Sequence, residues 1–294
     1  MFKRILLFLA TNLLIMVSIN LVLWAVEHFL GIQVYGAQWS GLMILCLAWG
    51  MGGAFISLML SKVMAKWTMG LQILDPNVVI SGPYANLIQT VHRLARHAGL
   101  PEMPEVGIYE SSEVNAFATG PSKSNSLVAV STGLLDRMSQ DEVEGVLGHE
   151  IAHIANGDMV TMTLIQGVVN AFVMFFARVI GRLLASQVEE RNRHWVQFLA
   201  VFVLDILFGI LGSIVVFYFS RQREFRADAG GAQYAGKSKM IHALERLQGY
   251  VEGIDDENKG LATLKISGKP SGILALFSTH PSLDERILRL KTEV

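Results

Sequence analysis

The sequence predicts an α-helical membrane protein with four hydrophobic segments, interleaved with a small mixed α/β portion. Three observations predict it. The 294 residues are 52% hydrophobic and only 17% charged, with a mean hydropathy of +0.43, where an ordinary soluble domain carries about 25% charged residues. The apolar residues gather in four long runs. Between and after these runs the chain turns polar, with turn signals and short alternating stretches. A net charge of −1 gives no reason to expect a nucleic-acid partner. A single cysteine, Cys46, excludes an intrachain disulfide and suits a reducing compartment.

The first apolar run extends from Ile5 to about Leu30 behind Lys3 and Arg4. It outlasts the roughly 7–15 residues of a signal-peptide core and no small-residue cleavage pattern closes it, so it reads as a retained membrane helix. The second run, Trp39 to Leu60, carries Gly50, Gly52 and Gly53, which membrane helices use for close packing. No Lys or Arg occurs from Ile5 to Ser61, whereas Lys62 and Lys66 follow. Both ends of this hairpin are therefore expected on the cytoplasmic side.

From Gln72 to Asp158 polar and apolar residues mix. Pro83 to Ala98 has helical periodicity, and Val106–Tyr109, Val114–Ala118 and Ser126–Val130 read as strands. Ser139 and Glu142 form a capping box that opens a helix running into His149 and His153. Two more apolar runs follow, about Met159–Ala177 and Trp195–Phe219, each long enough for roughly 30 Å of hydrocarbon. Their charged connection includes Arg191 and Arg193, which weakly opposes placing it outside; a partly inserted or core-buried hairpin is the alternative. Folding this hairpin about residues 191–192 sets Arg178 opposite Asp205, a pairing that would offset the cost of two charges in apolar surroundings. Residues 221–250 read as helical, Gly253–Gly272 as a loop, and Pro281–Leu290 as a last short helix.

The chemistry centres on His149-Glu150-Ile151-Ala152-His153. Two histidines four apart share one helix face and can bind one zinc ion. Glu150 is offset around the helix, where it can take a proton from water. The plain alternative is two surface histidines on an amphipathic helix. A third His six residues after His153 is excluded, because position 159 is Met. Glu224 and Asp228, one turn apart on a later helix, offer a third ligand and a carboxylate to orient a ligand histidine. Their plain alternative is a solvated charged helix, given Arg221, Arg223 and Arg226 nearby. His153 lies about five residues before the third apolar run and Glu224 about five after the fourth, so both are expected near one membrane face.

Taken together, these motifs resemble the HtpX family of bacterial membrane zinc metalloproteases, which are related to the CAAX prenyl proteases. The resemblance covers the whole chain. It implies a zincin-like α+β metalloprotease domain with one Zn2+ held by His149, His153 and Glu224. It also implies that Glu150 is the general base and that Asp228 supports a ligand from behind. Asn115-Ala116-Phe117-Ala118 matches the edge strand thought to align substrate by β-addition. His280-Pro281 and Arg286 match further; both residues are candidates for substrate contact, and a structural histidine beside a helix start is the plain alternative for His280. The organisation expected is an N-terminal hairpin (1–66), a first catalytic part (67–158), a second hairpin (159–220) and a second catalytic part (221–294). The implied activity is endopeptidase action on misfolded or damaged membrane proteins in stress-related quality control. The implied location is the bacterial inner membrane, with the catalytic domain in the cytoplasm and the lipid bilayer as partner. A scaffold with structural zinc is the rival from another class, and an enzyme confined to a prenylated C-terminus is a second.

Overall fold

The computed structural model describes residues 39–78, 81–257 and 280–293. The apolar run from Ile5 to Leu30 lies outside them. Two compact units emerge, one of residues 39–56 with Thr163–Val216, the other of Ser57–Met162 with the chain from Phe217 onward.

In the first unit the apolar runs are helices: α1 (Trp39–Thr68), α5 (Asp158–Ala185) and α6 (Arg193–Ala235). Among the described residues these three are long and apolar enough to cross a membrane. Helix α1 meets α5 at small residues. A Cβ on Gly50 would come within 2.8 Å of the Gly167 carbonyl oxygen and the Ala171 backbone nitrogen. Leu42 and Cys46 pack there with Met174. The Arg178 guanidinium lies 4.0 Å from the Asp205 carboxylate, and its Nη1 also donates to the Met174 carbonyl. The pairing expected from the sequence is therefore present.

The second unit is built on a sheet of four strands among the described residues, in the order β1-β2-β4-β3. The strands are β1 (Gln72–Leu74), β2 (Glu105–Tyr109), β3 (Ala116–Ser122) and β4 (Asn125–Ser131). Strands β2 and β4 run parallel and the other pairs antiparallel. Three helices complete this part: α2 (Pro83–His97), α3 (Thr132–Arg137) and α4 (Gln140–Asn156). Val106, Ile108, Val128 and Val130 of the sheet meet Leu87, Ile88, Val91 and Leu94 of α2. Leu147, Ile151 and Ile154 of α4 close the same core. Each fully buried aliphatic side chain contributes roughly 1.5–3 kcal/mol. The core therefore fixes the roll of α4 and, with it, the direction of the histidines between those leucine and isoleucine positions. The capping box is formed: Glu142 N–H donates to Ser139 Oγ and Ser139 N–H to Glu142 Oε2 at 2.7 Å. Helices α7 (Lys237–Glu257) and α8 (Leu283–Glu293) finish the chain.

Several boundaries differ from the sequence expectation. Helix α1 continues past the apolar run through Lys62 and Lys66, whose ammonium groups sit 3.0 and 2.6 Å from Glu105. A helix needs only its backbone bonds to continue, and here two ion pairs hold its charged last turns. No new helix starts at residue 221, because α6 runs unbroken from the apolar stretch to Ala235. It stops at Gly236, whose φ of 108° leaves the helical region. Strand β3 begins at Ala116 rather than Val114, since Asn115 is tied to Ser131 through backbone and hydroxyl. Strand β1, three residues long, was too short to show alternation. Helix α7 takes in Gly253 to Glu257, where the glycine and charged residues predict a loop.

Candidate active site

Helices α4 and α6 approach through small residues. A Cβ on Gly148 would sit 2.8 Å from the Ala235 Cβ and 3.1 Å from the Gly231 carbonyl oxygen. One on Gly230 would sit 2.7 Å from the Ala152 Cβ, and one on Gly231 3.0 Å from the His149 nitrogen. This contact lets residues 75 positions apart, His149 and Glu224, share one site.

There His149, His153 and Glu224 offer ligand atoms all within 4.8 Å of one another. The two Nε2 atoms are 3.0 Å apart. Glu224 Oε2 lies 3.5 Å from His149 Nε2, and Oε1 lies 3.5 Å from His153 Nε2. Two nitrogens at 2.0–2.1 Å from one tetrahedral ion stand roughly 3.3–3.4 Å apart, so the donor set suits a metal. Glu224 is only 2% exposed, and its Oε1 has no hydrogen-bond partner, as expected of a buried oxygen meant for a cation.

The far nitrogens of both imidazoles are taken by carboxylates. His149 Nδ1 is 2.9 Å from Asp228 and His153 Nδ1 is 2.7 Å from Asp158. Arg286 holds Asp228 with two bonds, Nε at 2.8 Å and Nη2 at 2.6 Å, and its Nη1 reaches 3.6 Å from Glu224. Burial would lower the pKa of His149, but its hydrogen bonds to the Asp228 and Glu224 carboxylates outweigh it and push the value up to about 9. Burial would raise Glu224, yet its contacts with His149 and His280 hold it well below the usual carboxylate range. Asp228 is likewise lowered: Arg286 and His149 overcome the effect of burial.

The other residues singled out from sequence are spread around this centre. Glu150 is half-buried beside the histidines on α4 and acts electrostatically on Tyr109 and Arg286. Asn115 is exposed, and Ala116 and Phe117 start β3, which lies at the sheet edge among the described residues. The Phe117 ring is 5.8 Å from that of Tyr109. His280 Nδ1 is 3.0 Å from Glu224 Oε2, with the side chain 57% exposed. Arg286, by contrast, is 8% exposed and sits behind His149 with its guanidinium on Asp228, not on an open surface. Asp158 is a site residue that no sequence motif marks. Its one signal was an acidic residue just beyond Gly157, the left-handed residue (φ 70°) that ends α4.

The peptidase family M48 model matches residues 83–294, the stretch holding every residue of this centre.

The chain belongs to peptidase family M48.

This M48 member is a metalloprotease, and its apolar helices make it a membrane one. It is 51% identical over 300 residues to a protease HtpX homolog of Bacillus subtilis (strain 168), covering 100% of both chains. With the protease HtpX of Pasteurella multocida (strain Pm70) it shares 50% identity over 292 residues, covering 98% of this chain and 97% of that one. The fold is shared with the crystal structure of S. mikatae Ste24p, at a TM-score of 0.65 and 17% identity. That match covers 98% of this chain and 66% of the longer one.

Proposed function

We propose that this M48 member is a membrane-integrated zinc endopeptidase, with His149, His153 and Glu224 as ligands and Glu150 as general base. The observation that carries this reading is the convergence of those three ligand atoms within 4.8 Å. Zinc, when bound, supplies Lewis acidity to the scissile carbonyl and to water. Glu150 then takes the proton of the attacking water and passes it to the leaving amine. Asp228 accepts a hydrogen bond from Nδ1–H of His149, which leaves Nε2 free to ligate. An extended substrate segment adds to the β3 edge near Asn115, Ala116 and Phe117 by backbone pairing. His280, with its side chain 57% exposed beside Glu224, is the further candidate for holding the substrate, whereas Arg286 acts from behind through Asp228. We also take the catalytic portion to be zincin-like and the run from Ile5 to Leu30 to be a fourth membrane segment.

His153 and Glu224 each stand about five residues from an apolar run, which favours a site near the bilayer surface. The lysines and arginines that flank the runs favour the cytoplasmic face of the inner membrane. Misfolded or damaged membrane proteins with exposed cytoplasmic segments are the substrate class that such a placement suits, and their removal is a quality-control task under stress. A structural zinc is disfavoured by the donor count: such sites are closed by four protein ligands, and among the described residues the group has three.

Metal analysis combined with a cleavage assay on a casein-like substrate tests the roles. Glu150→Gln is expected to retain zinc and lose at least 10²-fold in rate, the lower end of the general-base contribution. Glu224→Gln is expected to lose the metal. Undiminished cleavage by Glu150→Gln would sink the mechanism.

A further inference from the structure

We infer that Asp158 is the positioning residue for His153, bracing the second imidazole from the first turn of α5. The inference rests on the reading of His149, His153 and Glu224 as a metal site. The Asp158 carboxylate is 2% exposed. Its Oδ2 stands 2.7 Å from His153 Nδ1, while its Oδ1 makes no hydrogen bond and has Arg226 Nη2 at 3.5 Å. Gly157 makes the geometry possible: its left-handed backbone ends α4 three residues after His153 and turns the chain so that residue 158 faces back to the imidazole. As the first residue of α5, Asp158 also sits where a helix favours negative charge. With Nδ1–H committed to this carboxylate, His153 keeps the lone pair of Nε2 for the metal position it shares with His149 and Glu224.

The contact repeats, on the other imidazole, what Asp228 does for His149. The two braces come from different helices: Asp228 from α6 and Asp158 from α5. They also differ in their cations. Arg286 grips Asp228 with two short bonds and is 8% exposed, whereas Arg226, 60% exposed in its side chain, only approaches Asp158. Asp158 therefore depends on His153 for its one short bond among the described contacts, and His153 depends on it for its orientation.

Chelator competition for zinc on the purified full-length chain tests this, with the visible spectrum of the cobalt-substituted protein as a second readout. Asp158→Ala is expected to weaken zinc binding about 10–100-fold and to alter the cobalt spectrum. Asp158→Asn, whose amide oxygen still accepts from Nδ1, is expected to fall between Ala and the parent. A merely structural residue would lower the unfolding temperature in chelator and leave the folded protein's affinity unchanged. Either variant binding zinc with the parent's affinity and spectrum overturns the inference, and if Asp158→Ala does not fold, Asp158→Asn decides alone. His153→Ala serves as reference: if it binds zinc as the parent does, the metal-site reading itself fails instead.

Discussion

His149 links the electrostatics of the site to an observable. Its folded pKa of about 9 exceeds the ordinary 6.5 because carboxylate contacts outweigh burial. Folding thus favours the protonated imidazole. That stabilisation is complete below about pH 6.5 and is lost as the pH rises through about 9. Glu224, held low, adds stability that is present above its ordinary 4.5 and disappears in acid. The chelator-treated protein should therefore lose thermal stability between pH 7 and 9.5. Zinc loading at pH 7 should release a proton, which calorimetry in buffers of different ionisation enthalpy would detect. A flat pH profile of the metal-free protein would contradict the charge assignment. At this scale the His149/His153 and Glu224/Asp228 pairs were legible, because a spacing of four is visible along a helix. Asp158 was not, since its bond to His153 crosses the break at Gly157. Nor was the grip of Arg286 on Asp228, 58 residues away, which no local period reveals.

Helix α4 does three jobs on three faces. Leu147, Ile151 and Ile154 enter the core, Gly148 and Ala152 admit α6, and His149 and His153 project into the site. Gly148→Ala forces a methyl group against the Ala235 Cβ and the Gly231 carbonyl. It should cost about 1–3 kcal/mol of stability and weaken zinc binding by displacing α6. Gly249→Ala in α7 meets nothing within 4 Å and should stabilise by about 0.5–1 kcal/mol, so thermal unfolding of the two variants should move in opposite directions. The capping box of α4 and the periodicity of α2 could be read from sequence because both are local. The continuity of α6 could not: the change from apolar to charged residues at Ser220 resembles a boundary, although backbone hydrogen bonding passes straight through it.

On the scale of the whole molecule, the unit that holds the site is discontinuous in sequence, drawing on Ser57–Met162 and on the chain after Phe217. The histidines come from the first piece and Glu224 from the second. A fragment of residues 57–162 expressed alone should bind zinc far more weakly than the full chain. Stripping zinc from the full chain should lower its unfolding temperature, since a ligand at 1,000 times its Kd contributes about 4 kcal/mol. The three apolar runs that fall within the described residues were legible through composition. The sheet order and the way α1 extends through Lys62 and Lys66 to ion pairs with Glu105 were not, because both depend on tertiary pairing. Helix α6 carries one more consequence. Its 43 residues are one continuous helix, with Glu224 and Asp228 in its last third. Each residue added or removed within it turns one part against the other by about 100°. One residue inserted between Glu224 and Gly231 would therefore carry the Glu224 carboxylate away from the histidines, because the contact of Gly230 and Gly231 with α4 fixes the rest of the helix.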